Sequence, residues 1–209
     1  MQGRGRDLAP TNPSRQAQFR SHPGSRGHVV DSLLPDFVRT VARTLARLPD
    51  ARFAVAVAGA RFERRIADAF RNEPRVVCVT GRSPDVMDAA DLALTTSGTT
   101  TLELAASGKP FVIGYRVSPV FYAIAKSLMQ VGHIGLVNLV AGRTVVPEHV
   151  GYRDLDAGLA DDLLRLATDR NAADEQRRGL AEVRAKLDVR GAYARAAEEV
   201  AAFVASRRR

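Results

Sequence analysis

From Val29 onward, apolar residues recur at steps of three and four: Val30, Leu33, Leu34, Phe37, Val38, Val41, Leu45 and Leu48. That period predicts a helix closed by Pro49-Asp50, with Pro35 in its first turns or at a kink. The pattern then changes period repeatedly. Arg52 to Ala58 reads as a strand, and Ala60 to Phe70 as an amphipathic helix with Phe62, Ile66, Ala69 and Phe70 inward. Arg75 to Val79 is a second strand, Asp85 to Ala90 a short helix and Leu92 to Leu94 a third strand. Thr99 to Ala106 reads as a helix, with Leu102, Ala105 and Ala106 at core-facing spacing, and Phe111 to Ile113 as a strand. Pro119 to Gln130 predicts a helix and Ile134 to Val137 a short strand, followed by helices over 154–168, 171–187 and 191–206. Residues 1 to 21 are rich in Arg, Gly, Pro, Ser and Gln without periodicity, and read as an irregular lead-in to a domain over 22–206.

Strands alternating with crossover helices imply an α/β fold, a Rossmann-like parallel sheet with helices on both faces. Ligands of such sheets bind beyond the carboxyl ends of the strands. Three turn regions, 22–28, 95–99 and 138–143, are expected there and would line one cleft.

The stretch from Leu92 to Tyr115 organises the rest. Ser97 and Gly98 break the strand, Gly108 ends the following helix, and Pro110 prevents its continuation. A helix that begins at the carboxyl end of a strand offers unpaired N–H groups and a positive dipole end, which suit a phosphate. Glu103 lies about one turn in, where a carboxylate accepts hydrogen bonds from sugar hydroxyls. The same letters fit a capping box, Thr100-x-x-Glu103, and both readings stand on pattern alone. Pro23-Gly-Ser-Arg26 pairs a permissive turn with an arginine before a helix, an arrangement for a diphosphate or simply a turn beside a solvated side chain. Asn138 and Arg143 fall in a predicted loop with Gly142. Spacing alone favours a structural loop whose Asn caps its own backbone, although neutral amides and arginines also recognise sugars and phosphates.

Composition narrows the class. No run of about 18 apolar residues is present, and the amino-terminal residues lack the apolar segment of a secretory signal. The single cysteine, Cys78, lies in a strand-like run and has no disulfide partner. A cytoplasmic protein is expected. The formal net charge is +8, and three of the 31 basic residues are lysines. The arginines are spread through the helices rather than gathered in a stripe, so no nucleic-acid partner is expected. The four histidines show no metal-ligand spacing, and no cofactor is expected.

Together these pieces resemble the carboxyl-terminal half of the lipid-A-disaccharide synthase family, two-domain glycosyltransferases of the GT-B type. The resemblance is carried by Pro23-Gly-Ser-Arg26 with Leu33-Leu-Pro35-x-Phe37, and by Asp91-Leu-Ala-Leu-x-x-Ser97-Gly-Thr99-x-x-Leu102-Glu103. Gly108-x-Pro110 through Tyr115-Arg116 continues it, as does Asn138-Leu-x-Ala-Gly-Arg143-x-Val-Val-Pro147-Glu148. The resemblance implies transfer of 2,3-diacylglucosamine from a UDP donor to 2,3-diacylglucosamine 1-phosphate, with inversion, release of UDP and no metal. It implies that Arg26 and Ser97-Gly98-Thr99 hold the diphosphate and Glu103 the ribose, that Asn138 and Arg143 contact sugar or diphosphate, and that Arg116 assists. It also implies that an amino-terminal GT-B domain, expected to bring the acceptor and the general base, is missing from this chain. The partners implied are that half or a second copy, and an acyl-bearing membrane surface reached peripherally.

The chain departs from the family at Val29, where an acidic residue is usual, and at Val150, where a glutamine is usual. The polar run Arg15-Gln-Ala-Gln-Phe-Arg20 stands where a strand is expected. Two other readings stay open: a different UDP-sugar enzyme of the same fold, and a non-catalytic binding module.

Overall fold

A computed structural model describes residues 18–22, 24, 27–120, 122, 133–187, 197–201 and 203–204. In chain order the elements are β1 (Gln18–His22), α1 (Gly27–Arg47), β2 (Arg52–Val57), α2 (Ala60–Phe70), β3 (Val76–Thr80), α3 (Ser83–Ala89), β4 (Leu92–Thr96), α4 (Thr100–Ser107), β5 (Phe111–Arg116), α5 (Leu136–Ala141), β6 (Glu148–Gly151), α6 (Asp156–Thr168) and α7 (Arg170–Leu187). Residues 197–201 and 203–204 are also helical. No helix of the described residues is long and apolar enough to cross a membrane.

The six strands form one sheet in the order β3-β2-β1-β4-β5-β6, with every neighbouring pair parallel. Chain order reverses between β1 and β4, which makes the gap between their carboxyl ends the topological switch point.

One face of the sheet is covered by α1, α2 and α6. Helix α1 presents Val30, Leu33, Leu34, Phe37, Val41 and Leu45, all 5% exposed or less, to Phe19, Val55, Leu94 and Val112. Each large side chain so buried contributes about 1.5–3 kcal/mol. The opposite face packs Met87, Leu104, Ala105 and Val137 with Leu180 and Val183 of α7 over Ala93, Phe111 and Ile113.

Three expectations are corrected. The polar run before Pro23 contains a strand: β1 is central and paired on both sides. Phe19 stacks on Phe53 with ring centroids 4.7 Å apart. Its partners supply the apolar surface, so the strand forms with one large apolar residue of its own. Leu136–Ala141 is a helix rather than part of a strand, entered at Gly135 and stopped by Gly142 in the left-handed region at φ 74°. Asn138, expected in a loop, lies in that helix, and residues 148–151, to which the pattern assigns no element, form the sheet edge. Pro35 lies well inside α1. The predicted helix 119–130 and the first part of 191–206 fall largely outside the described residues.

Candidate functional site

The carboxyl ends of β1 and β4 meet at the switch point. After β1 the chain turns through Gly24, whose φ of 114° is costly for any residue with a Cβ. A Cβ there would stand 2.8 Å from Val29 Cγ1 and 3.5 Å from Thr96 Cγ2. Gly24 therefore rests on the last residue of β4. Arg26 lies outside the described residues.

After β4 the chain passes through Ser97, Gly98 and Thr99 into α4. Gly98 has φ 156°, and a Cβ there would meet nothing within 4 Å, so the turn opens outward. Ser97 Oγ donates to Ile134 O at 3.2 Å. Thr101, fully buried, donates to Gly98 O at 2.7 Å and holds the turn from beneath. Thr99 is the N-cap residue and makes no side-chain cap hydrogen bond. The capping box is thus not formed: Thr100 is already helical, and the backbone N–H of Glu103 donates to Thr99 O at 3.2 Å. Thr101 N and Leu102 N donate to Gly98 O and Thr99 O at 3.1 and 2.9 Å, so the amides left for an outside acceptor are those of the turn itself, at Gly98, Thr99 and Thr100. Glu103 is exposed one turn in, with no hydrogen bond or ion pair among the described residues.

Two buried side-chain oxygens among the described residues have no hydrogen-bond partner, Ser21 Oγ and Thr96 Oγ1. Both belong to the strands that flank the switch point. Sequence reading passed over them. The alternation Phe19-x-Ser21 was the available signal.

Arg116 ends β5 on the same sheet edge, but its guanidinium is occupied. Nε and Nη2 donate to Asp36 Oδ2 at 2.8 and 2.6 Å, and Nη1 to Tyr152 O at 2.9 Å. Asp36, fully buried, also binds Arg39 at 2.6 Å. Asp156 binds Arg39 at 3.0 Å and Arg43 at 2.5 Å. Burial pushes the Asp156 carboxyl up, and hydrogen bonds from Arg39 and Arg43 more than reverse this, leaving it below the usual aspartate value. Asp36, Asp154 and Asp156 converge closely enough to suggest a cation site. Three guanidinium groups fill that role, and the cluster is an ion lattice joining α1, β5 and α6.

Asn138 and Arg143 are also corrected. Asn138 is fully buried in α5. Its Nδ2 donates to Val146 O at 2.8 Å and to Glu148 Oε1, and its Oδ1 accepts from the N–H groups of Val145 and Val146 at 2.8 and 2.9 Å. A primary amide has no capacity beyond these four bonds. Glu148 Oε2 in turn accepts from Ile134 N and Gly135 N at 2.9 and 3.0 Å. Asn138 therefore acts through Glu148 on the 134–135 segment that holds Ser97, and is a positioning residue. Arg143 lies at the other edge of the sheet. Glu148 is level with Ile113, so Val146 is level with Phe111, the first residue of β5, and Arg143 precedes it. Its guanidinium pairs with Glu182 at 2.6 Å. The structure thus brings together the Gly24 turn, Ser97, Gly98, Thr99 and Glu103, and separates Arg143 from them.

Comparison with known proteins agrees with this architecture. The chain is 38% identical over 192 residues to a lipid-A-disaccharide synthase of Anaeromyxobacter dehalogenans, covering 90% of this chain and 50% of that protein. It is 35% identical over 179 residues to the synthase of Myxococcus xanthus, covering 85% and 47%. The chain spans about half the length of the curated relatives it matches. Among solved structures it is similar to the pneumococcal O-GlcNAc transferase GtfA, determined with UDP and GlcNAc. The TM-score is 0.59 at 13% identity, over 90% of this chain and 37% of that one. At that identity the likeness speaks for the fold, one half of a GT-B glycosyltransferase. The sequence profile described as lipid-A-disaccharide synthetase matches residues 12–202, and the chain belongs to that family.

Proposed function

We propose that this chain is the donor-binding half of a lipid-A-disaccharide synthase. In this reading it holds UDP-2,3-diacylglucosamine at the switch point while the diacylglucosamine unit passes to 2,3-diacylglucosamine 1-phosphate with inversion, and UDP leaves. The observation that carries it is the pairing of two positive-φ glycines at one crevice, Gly24 packed on Thr96 after β1 and Gly98 opening outward after β4, with no side chain capping α4 behind them. Negative charge grows on the departing diphosphate. Fixed amides and the positive end of α4 lower its cost without reorganising. Arg26, next to the Gly24 turn in sequence, supplies the guanidinium, and Glu103 takes the ribose hydroxyls. Arg116 and Asn138 serve by holding the scaffold, and Arg143 has no part in the crevice.

The acceptor, the general base and the acyl-binding surface belong to a second half of the enzyme. Because both substrates carry acyl chains, the assembled enzyme works against a cytoplasmic membrane face as a peripheral protein. Titration calorimetry with UDP tests the reading. Saturable binding in the micromolar to millimolar range is the expected result; no heat at millimolar UDP, with no thermal stabilisation, overturns it. Activity is expected from the chain mixed with the amino-terminal half of a relative.

A further inference from the structure

Ser21 and Thr96 end the two strands that border the switch point, and their hydroxyls are the unpartnered buried groups of the described residues. Ser21 is 0% and Thr96 7% exposed. A buried hydroxyl without a partner costs free energy that neither alanine nor valine would incur, so two on adjacent strands call for a shared cause. They share a face. Ser21 alternates with Phe19, and Thr96 with Leu92 and Leu94, all packed into the core beneath α1.

Their spacing is also set. Ser21 is in register with Leu94, so Thr96 lies one strand over and two residues further on. Strand spacing and rise put such positions about 8 Å apart at Cα. With both side chains on one face, hydroxyls leaning toward each other come within the roughly 5.6 Å that one oxygen spans by two hydrogen bonds. The roof of this space is the Gly24 turn, seated on Thr96 Cγ2.

We infer that Ser21 and Thr96 together seat one ordered water beneath the Gly24 turn. The water's remaining hydrogen bonds go to the backbone of Gly24, which fixes that residue beside the crevice. A closed site with several polar partners is where a water is retained rather than expelled. Ser21 and Thr96 are then positioning residues. They act through the water on the turn, and their effect falls on phosphate recognition and not on the nucleoside. This inference rests on the donor-binding reading of the crevice.

The test compares UDP with uridine, which lacks the phosphates, on the wild-type chain and on the double variant Ser21→Ala, Thr96→Val. UDP affinity is expected to fall about five- to tenfold, uridine affinity to stay the same, and the thermal midpoint to hold, because the water leaves together with the hydroxyls it satisfied. Thr96→Ser, which keeps the hydroxyl, is expected to keep UDP affinity and serves as the control should the double variant fold poorly. In a crystal structure of the UDP complex, a water within 3.2 Å of both oxygens is expected. Unchanged UDP affinity in a folded double variant, or a dry space between the two hydroxyls, overturns the inference. A wild-type chain that binds neither UDP nor uridine overturns the donor-binding reading first, and the coupling with it.

Discussion

Glu103 and Asn138 are both polar residues on helices near the crevice, and the structure assigns them opposite work. Glu103 is exposed and unpaired among the described residues. Glu103→Gln removes the charge that strengthens hydrogen bonds to sugar hydroxyls. UDP affinity is expected to drop about tenfold, or about 1.4 kcal/mol, with the unfolding midpoint unchanged, as calorimetry and a thermal melt on the same sample would read. Asn138 is buried and spends all four of its bonds on the chain. Asn138→Ala leaves two backbone N–H groups, a carbonyl and part of the Glu148 carboxylate without partners. The expected cost is about 3 kcal/mol of stability, measured by urea denaturation. Any loss of UDP binding should track the unfolded fraction. The two residues look alike in the sequence because residue type reports capacity for hydrogen bonds, and says nothing about where that capacity is used.

At the level of elements, the ion lattice between α1, β5 and α6 carries a pH dependence. The Asp156 carboxyl titrates lower in the folded chain than in the unfolded one, because Arg39 and Arg43 favour its charged form. As pH falls, the unfolded chain takes up this proton first. The stabilisation is therefore complete above roughly pH 4 and is lost as pH drops through the lower folded value. Arg39 and Arg43 are 42% and 58% exposed, so solvent screening keeps the contribution modest. Asp156→Asn is expected to cost about 1–2 kcal/mol at pH 7, and the gap from wild type should narrow progressively as pH falls below about 4, in urea midpoints taken along a pH series. The long amphipathic helices α1, α2 and α7 were legible because many apolar positions repeat at one period. Strand β1 was not: its stability comes from the ladders on both sides and from Phe53 against Phe19, none of which its own five residues express. Helix α5 misled for the related reason that six residues hold under two turns, too few to separate a helical period from a strand.

For the whole molecule, the proposed ligand links binding to folding. A nucleotide that binds only the folded chain stabilises it by about 2.7 kcal/mol when present at a hundred times its Kd. For a chain of this length that is a rise of about 5–10 °C in the thermal midpoint. The same scan with uridine at equal concentration should give a smaller rise, since the proposed reading assigns the phosphates to α4 and Gly24. No rise with UDP would remove the donor-binding reading.

The α/β class, most of the alternation of strands and helices and the turn at Ser97-Gly98 that opens α4 were legible in the chain's own pattern. Hydrophobic period and glycine placement are local properties that a linear string carries in full. The family motifs were legible too, though not what each of their polar residues touches. That Arg116 and Asn138 are consumed by partners 80 and 10 residues away, that Arg143 stands at the far edge of the sheet, and that the Ser21 and Thr96 hydroxyls are buried without partners were decided by folding alone. Hydrogen bonds and ion pairs form between groups that the sheet makes neighbours, and strand register, not sequence distance, determines which groups those are.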